Sequence, residues 1–291
     1  MQHRSVNLDG DVHYADFGGE GRPIVLVHGL GGSHVNWLSV ASRLAVHGRV
    51  LAVDLTGHGR TPSFGRSAAV SSNRRLLGRF LDSVVQEPAV LVGNSMGGYL
   101  ALAEAALEPA KVCALVLVAP AVPIVRLAAF DWQVLALFAG LTLPLAGAAL
   151  LRRRSRRGPE QAVRDILALC CVDPGRIDPA VLRAHFDLAR ERAHRGEEAR
   201  RDFLAAQRSL MVNLLRRRHF YALAEKVRAE TLIVHGEHDR LVRLEAIRAL
   251  SAARPDWSLV VLEGVGHVPQ LEVPGRFLAA VEPFLVGRKV A

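Results

Sequence analysis

The sequence predicts an α/β protein: a mostly parallel sheet of about eight strands, helices on both faces, and a helical segment inserted late in the alternation. Three observations lead there. Short apolar runs alternate with stretches of helical period, the pattern of parallel strands joined by crossover helices. Several runs are apolar throughout, as in Pro23-Ile24-Val25-Leu26-Val27, which fits a sheet covered on both faces. The alternation breaks between Ala121 and Glu225, where no clear strand pattern is found, and resumes at Thr231.

Taken in order, Arg4 to Gly18 reads as a hairpin, with Ser5–Leu8 and Val12–Ala15 alternating about an Asp9-Gly10 turn. Pro23–Val27 is a buried strand ending in His28-Gly29-Leu30-Gly31-Gly32, and Ser33 to Val46 has a helical pattern. Val50–Asp54 is the next strand, and Ser72 to Gln86 the next helix. Ala89–Gly93 is a short β-branched strand, with a helical pattern from Tyr99 to about Glu108-Pro109, and Cys113–Ala119 is another buried strand. Ala121 to Glu225 reads as several helices punctuated by Pro144, Gly158-Pro159, Pro174-Gly175, Pro179 and Gly196. Thr231–Gly236 and Ser258–Leu262 are the last strands, with helices near Arg243–Ala252 and Pro274–Val286. This divides the chain into a core, 1–120, an inserted cap, 121–225, and the remainder of the core, 226–291.

Ser95 stands between a strand and a helix, with glycine two residues away on each side, in Gly93-Asn94-Ser95-Met96-Gly97. The G-x-S-x-G spacing belongs to a sharp strand-to-helix turn that lifts the serine hydroxyl clear of the sheet. Such a turn puts the N–H of Met96 beside the reacting atom, at a helix N-terminus that favours negative charge. The plainer reading, a glycine-rich turn with an incidental serine, stays open unless the chain supplies partners. A serine hydroxyl needs a base, usually histidine, and an acid to orient it. Asp239, in His235-Gly236-Glu237-His238-Asp239, and His267, in Gly264-Val265-Gly266-His267, each follow a late strand. Ligands of such sheets bind beyond the strands' C-terminal ends. Glu237 is the alternative acid. Among the twelve histidines, His28 is read as shaping its loop and His58 as packing in its turn, while His235 and His238 precede the acid. Asp54 is read as tying down the turn before Gly57.

Five stretches together resemble the α/β-hydrolase superfamily: His28-Gly29-Leu30-Gly31-Gly32, Asp54-Leu55-Thr56-Gly57-His58-Gly59, Gly93-Asn94-Ser95-Met96-Gly97-Gly98, His235-Gly236-Glu237-His238-Asp239 and Gly264-Val265-Gly266-His267. They span nearly the whole chain outside the insert. The resemblance is to a serine esterase or lipase-like member with a helical cap. It implies a nucleophile at Ser95, an acid at Asp239, a base at His267, and an oxyanion hole from the N–H groups of Leu30 and Met96. It also implies that the insert is a cap placed after the sixth strand. A serine at the elbow argues against the epoxide-hydrolase and dehalogenase branches, whose relatives use Asp there.

Composition narrows the rest. Of 291 residues, half are hydrophobic, ample for a sizeable core. The N-terminus lacks a signal-peptide pattern. Three cysteines, Cys113, Cys170 and Cys171, form no disulfide framework, so a reducing cytoplasm is expected. No phosphate-binding loop and no His/Cys spacing for a metal is present, and no cofactor or metal is expected. The formal charge is +9, of which +7 falls between Ala121 and Glu225, from 18 Arg and 11 acidic residues. A basic segment suits nucleic acid, an anionic membrane or an acidic substrate. The favoured reading is a solvated helical face, with no nucleic-acid partner.

Leu127 to Leu151 is almost wholly apolar, nearly as long as a membrane span, but Asp131, Gly140, Pro144 and Gly147 interrupt it. A core-facing pair of cap helices is favoured over a lid lying on membrane beside Arg152–Arg157. Either arrangement offers apolar surface above Ser95, which suits a lipophilic ester. The competing functions are a C–C bond hydrolase of aromatic-ring-cleavage products and a non-catalytic ligand-binding module. Those C–C hydrolases often share the Gly-Asn-Ser-Met-Gly-Gly elbow but commonly carry an aromatic residue after the histidine, where Val268 stands here.

Overall fold

The apolar runs become one sheet. A computed structural model describes residues 1–123 and 131–286, with strands β1 (Gln2–Asn7), β2 (Asp11–Gly18), β3 (Pro23–Val27), β4 (Arg49–Val53), β5 (Ala89–Asn94), β6 (Val112–Val118), β7 (Glu230–Gly236) and β8 (Ser258–Leu262). Their order across the sheet is β1-β2-β4-β3-β5-β6-β7-β8. β2 pairs antiparallel with both β1 and β4, and every later pairing is parallel. The hairpin closes through Asp9 and Gly10, both at positive φ. This is the eight-stranded, mostly parallel α/β-hydrolase architecture.

Side chains along each central strand alternate between two cores, as the period of two requires. Val25, Val27, Leu91, Leu115 and Leu117 face one side, covered by α2 (Val70–Phe80), α3 (Met96–Leu107), α9 (Arg217–Lys226) and α10 (Leu244–Ala253). Ile24, Leu26, Val90, Val92 and Val116 face the other, covered by α1 (Leu38–Leu44) and α12 (Pro274–Val286). With both faces covered, an apolar residue is favoured at every strand position, which is why these strands read as continuous runs.

Two helices differ in detail from their sequence pattern. The stretch from Ser33 opens with a 3-10 turn, His34–Trp37, because Ser33 and Asn36 form a reciprocal capping box there. α2 starts at Val70 and passes after Phe80 into a wider turn that Gln86 closes at φ 63°.

Between β6 and β7 lie α4 (Trp132–Thr142), α5 (Pro144–Ser155), α6 (Pro159–Cys170), α7 (Pro179–Ala193), α8 (Gly196–Leu215) and α9. α9 packs on α3, with the Tyr99 and Phe220 rings 6.0 Å apart, and its Phe220, Leu223 and Ala224 join the main core. The inserted segment thus ends in a helix belonging to the sheet's own cover. The apolar stretch Leu127–Leu151 starts on residues outside those described. Its visible part breaks at Leu143 between α4 and α5, which bend by 114°. Val134 and Leu141 are buried, but Trp132 is 74% and Leu145 88% exposed, so these helices face the core only in part. Their angle turns one flank of each away from the fold. Among the described residues, no single helix is long and apolar enough to cross a membrane.

Candidate active site

β5 ends at Asn94 and α3 begins at Met96, so the whole change of direction falls on Ser95. Its backbone sits at φ 53°, ψ −116°, a strained conformation for a residue with a side chain, costing about 1–3 kcal/mol. Three hydrogen bonds hold it there. Ser95 N donates to Val118 O (3.0 Å), while Ala121 N (3.0 Å) and Tyr99 N (3.1 Å) donate to Ser95 O. A side chain on Gly97 would run into the carbonyl oxygens of Val27 and His28, and one on Gly93 into the backbone of Gly97. From Ala89 to Ala106, Ser95 is the one residue not buried. Met96, the first residue of α3, has an N–H with no intrahelical acceptor, aimed as an anion site requires. Leu30 lies in the loop after β3, and Gly29 passes so close to Ser95 that a Cβ there would stand 3.0 Å from the serine Cβ. The oxyanion candidates and the serine thus share one place.

The candidate acid and base, Asp239 and His267, meet beyond the ends of β7 and β8. His267 Nδ1 is 2.7 Å from Asp239 Oδ2, and both residues are buried. The other oxygen, Oδ1, accepts from Leu241 N (2.8 Å) and Val242 N (2.9 Å). Burial pushes the Asp239 carboxyl up, but the His267 charge and hydrogen bond outweigh it and hold the group below its ordinary value. An ionised carboxylate only accepts, so His267 Nδ1 carries the proton of this bond and Nε2 is the nitrogen left for other partners. Glu237, the alternative acid, accepts instead from Gly264 N (3.2 Å).

The other histidines of these motifs lie elsewhere. His28 donates from Nδ1 to Gly29 O (2.7 Å) and accepts at Nε2 from Leu55 N (3.1 Å), clamping the loop that carries Leu30. Burial pushes its imidazole down to about 4, against the opposing pull of Asp54, so it stays neutral. His58 is wholly buried, pushed by burial to about 3, and bonds Thr56 O (3.0 Å). His235 bonds Val242 O (3.0 Å), and His238 is exposed. Asp54 does tie down its turn, accepting from Arg60 N (2.8 Å), and also binds two histidines.

Three groups that position the site were not assigned from the sequence. Asn94 Nδ2 donates to Val118 O (3.0 Å) and His267 O (3.2 Å), tying the serine's turn to the histidine's loop. Cys170 O, at the end of α6, accepts from His267 N (2.6 Å). Glu272 is buried. Its Oε1 accepts from Val172 N (3.0 Å) and Asp173 N (2.9 Å), and its Oε2 from Gly266 N (2.8 Å). One carboxylate therefore joins the inserted helices to the residue before His267. Its sequence signal is slight: an acid five residues past the histidine, at the end of the short helix α11 (Pro269–Glu272).

Glu272→Gln replaces one acceptor oxygen by a donor and leaves a buried N–H unpaired. The expected cost is about 1–3 kcal/mol of stability. Because the His267 loop shifts with it, kcat should fall by about tenfold to a hundredfold, as for small misplacements of reacting groups. Urea denaturation and steady-state kinetics on the same sample check both effects. An unchanged kcat would confine Glu272 to anchoring the insert.

Residues 24–281 match the alpha/beta hydrolase family. The chain is 30% identical over 294 residues to 2-hydroxy-6-oxo-6-(2'-aminophenyl)hexa-2,4-dienoic acid hydrolase of Metapseudomonas resinovorans, covering 98% of this chain and 91% of the relative. It is 28% identical to pimeloyl-[acyl-carrier protein] methyl ester esterase of Nitrosospira multiformis, covering 93% and 97%. Among solved structures it resembles a putative lipase from Acinetobacter baumannii AYE, with a TM-score of 0.79 and 25% identity over 98% of this chain and 91% of that one.

Proposed function

Because the chain belongs to the alpha/beta hydrolase family, we propose that this hydrolase is a serine enzyme cleaving carboxylic esters of lipophilic substrates through an acyl-enzyme. The observation that carries the reading is the pairing of His267 with an ionised Asp239, in a loop that Asn94 ties to the turn of the strained, half-buried Ser95. Ser95 Oγ attacks the ester carbonyl and passes its proton to His267 Nε2, as Asp239 steadies the imidazolium. The N–H groups of Leu30 and Met96 hold the oxyanion. The leaving alcohol takes the proton from His267, and water, activated by the same nitrogen, releases the acid.

The similarity to an esterase and to a putative lipase supports ester chemistry, whereas the ring-cleavage hydrolase relative supports a C–C reaction. Val268 favours the ester. It packs with Leu167, Cys170, Ile177 and Leu271 and offers no aromatic ring beside His267. Apolar residues of the insert also reach the oxyanion loop: a Cβ on Gly31 would stand 3.2 Å from the Phe203 ring of α8. With p-nitrophenyl esters from acetate to decanoate, kcat/KM should rise by up to about threefold to fourfold per methylene, at roughly 0.8 kcal/mol per buried CH₂, until the site is full. A vinylogous diketone should be turned over far more slowly. The reverse preference would move the assignment to C–C cleavage, and no turnover of either would leave a binding module.

A second reading concerns where the substrate is met. Trp132 and Leu145 project from α4 and α5, and exposed Arg152, Arg153, Arg156 and Arg157 follow. This edge suits an anionic lipid surface, with apolar side chains below the headgroups and guanidinium groups among them. Co-sedimentation with anionic vesicles that fades with added salt supports it, and none at low salt removes it. Cys113, Cys170 and Cys171 form no disulfide among the described residues, which fits a reducing compartment.

A further inference from the structure

Away from Ser95, at the antiparallel edge of the sheet, three histidines converge. His3 lies on β1 and His13 on β2, and their register (His3 opposite Ala15, Ser5 opposite His13) puts both on one face as diagonal neighbours. His34 opens the 3-10 turn after β3. The three rings stand 4.7–5.3 Å apart centre to centre. One ring nitrogen from each lies within 4.8 Å of the other two. His34 is buried, His13 nearly so, and His3 opens to solvent.

The buried Asp54 orients two of them. Its Oδ2 is 2.8 Å from His13 Nδ1 and 2.9 Å from His34 Nδ1, while Oδ1 accepts from His34 N (2.7 Å). A carboxylate oxygen accepts, so each of these contacts is donated by an Nδ1–H, and the opposite nitrogen of His13 is turned to His3. His13 is held further by its N–H to Thr61 Oγ1 (2.9 Å) and its carbonyl to Asp54 N (3.0 Å). His13 Nε2 meets His3 Nδ1 at 2.9 Å, a contact needing one proton between two basic nitrogens.

We propose that His3, His13 and His34 form a divalent transition-metal site of the zinc type, with Asp54 as the carboxylate that orients its imidazoles. Three imidazole nitrogens with a fourth position open to water are a donor set that zinc, cobalt, nickel and copper accept and that magnesium and calcium do not. A carboxylate behind a ligating imidazole fixes the tautomer and strengthens the donor. Zinc–nitrogen bonds of about 2.0–2.1 Å place tetrahedral ligand atoms about 3.4 Å apart, so nitrogens that already lie within 4.8 Å of one another need only small side-chain adjustments to hold the ion. The ion displaces the proton shared by His3 and His13. It also displaces Arg60, whose Nη1 is 3.1 Å from both nitrogens of His3 and whose other partner is Glu191, at 3.0 Å. Arg60 and the metal therefore compete for His3. Occupied, the site staples the edge hairpin to the turn that follows the oxyanion loop, a structural role distinct from the hydrolytic chemistry at Ser95.

The test uses the full chain free of any polyhistidine tag, stripped with chelator and dialysed. Titration with Co²⁺ should develop the intense visible bands of a tetrahedral ion at one equivalent, and Zn²⁺ should abolish them. Zn²⁺ should raise Tm by several degrees, whereas Mg²⁺ should not. His3→Gln, at the exposed end of β1, should weaken binding at least tenfold while far-UV circular dichroism and ester turnover stay as in the wild type. His34→Gln should weaken it at least as much. Arg60→Gln should tighten binding, because it removes the competing cation. Only the weak spectrum of octahedral aqueous Co²⁺, or equal affinity in His3→Gln, would overturn the site.

Discussion

Ser95→Ala is expected to lower kcat for ester hydrolysis by about ten-thousand-fold to a million-fold, with the fold intact. Alanine keeps the Cβ, so the backbone strain at φ 53° and the bonds to Val118, Tyr99 and Ala121 persist. Only the attacking oxygen is lost. Ser95→Gly separates the two roles: it should be equally inactive yet more stable, because glycine adopts positive φ without strain. His267→Ala should match Ser95→Ala, and Asp239→Asn should cost up to about ten-thousand-fold, since an amide cannot hold the Nδ1–H tautomer as the carboxylate does. The losses should not add, because a base without its nucleophile has no proton to take. Steady-state kinetics on folded variants check this, and a soluble Ser95→Ala protein that keeps most of its turnover would overturn the assignment of the nucleophile.

Gly97→Ala should have the largest effect on folding. The added methyl would overlap the carbonyl oxygens of Val27 and His28, which belong to the central strand β3 and the loop after it. These are backbone atoms in a close-packed centre, so no rotamer change relieves the clash. The elbow would have to lift from the sheet, and overpacking of this kind costs several kcal/mol out of a total stability of about 5–15 kcal/mol. Little soluble protein is expected, or a greatly lowered denaturation midpoint. Gly275→Ala, near the start of α12, meets nothing within 4 Å and is the control that should fold normally.

Local features of the chain were enough for the eight strands and the elbow. Each central strand is a short apolar run because both faces of the sheet are covered, and the turn at Ser95 needs glycine at Gly93 because a side chain there would meet the backbone of Gly97, four residues on, whereas Gly97 must be glycine because the distant β3 passes against it. Asp239 and His267 stood out because strand ends are where such a sheet presents its chemistry. Other assignments depended on how distant segments meet. Asp239 rather than Glu237 receives His267 because the β7 and β8 loops fold together so that Glu237 turns to Gly264. Asn94, Cys170 and Glu272 act through hydrogen bonds to the His267 loop, made by elements up to 173 residues apart, which no spacing rule reveals. The exposure of Trp132 and Leu145, on helices that bend by 114° against each other, is a matter of tertiary packing that their apolar composition does not show. The three histidines at the sheet edge lack any metal-ligand spacing along the chain. Strand pairing sets His3 beside His13, and the buried Asp54 turns the rings of His13 and His34. Propensity and period act within a few residues, whereas a site is assembled by pairing register and packing, whose energy appears only once the chain has closed its long loops.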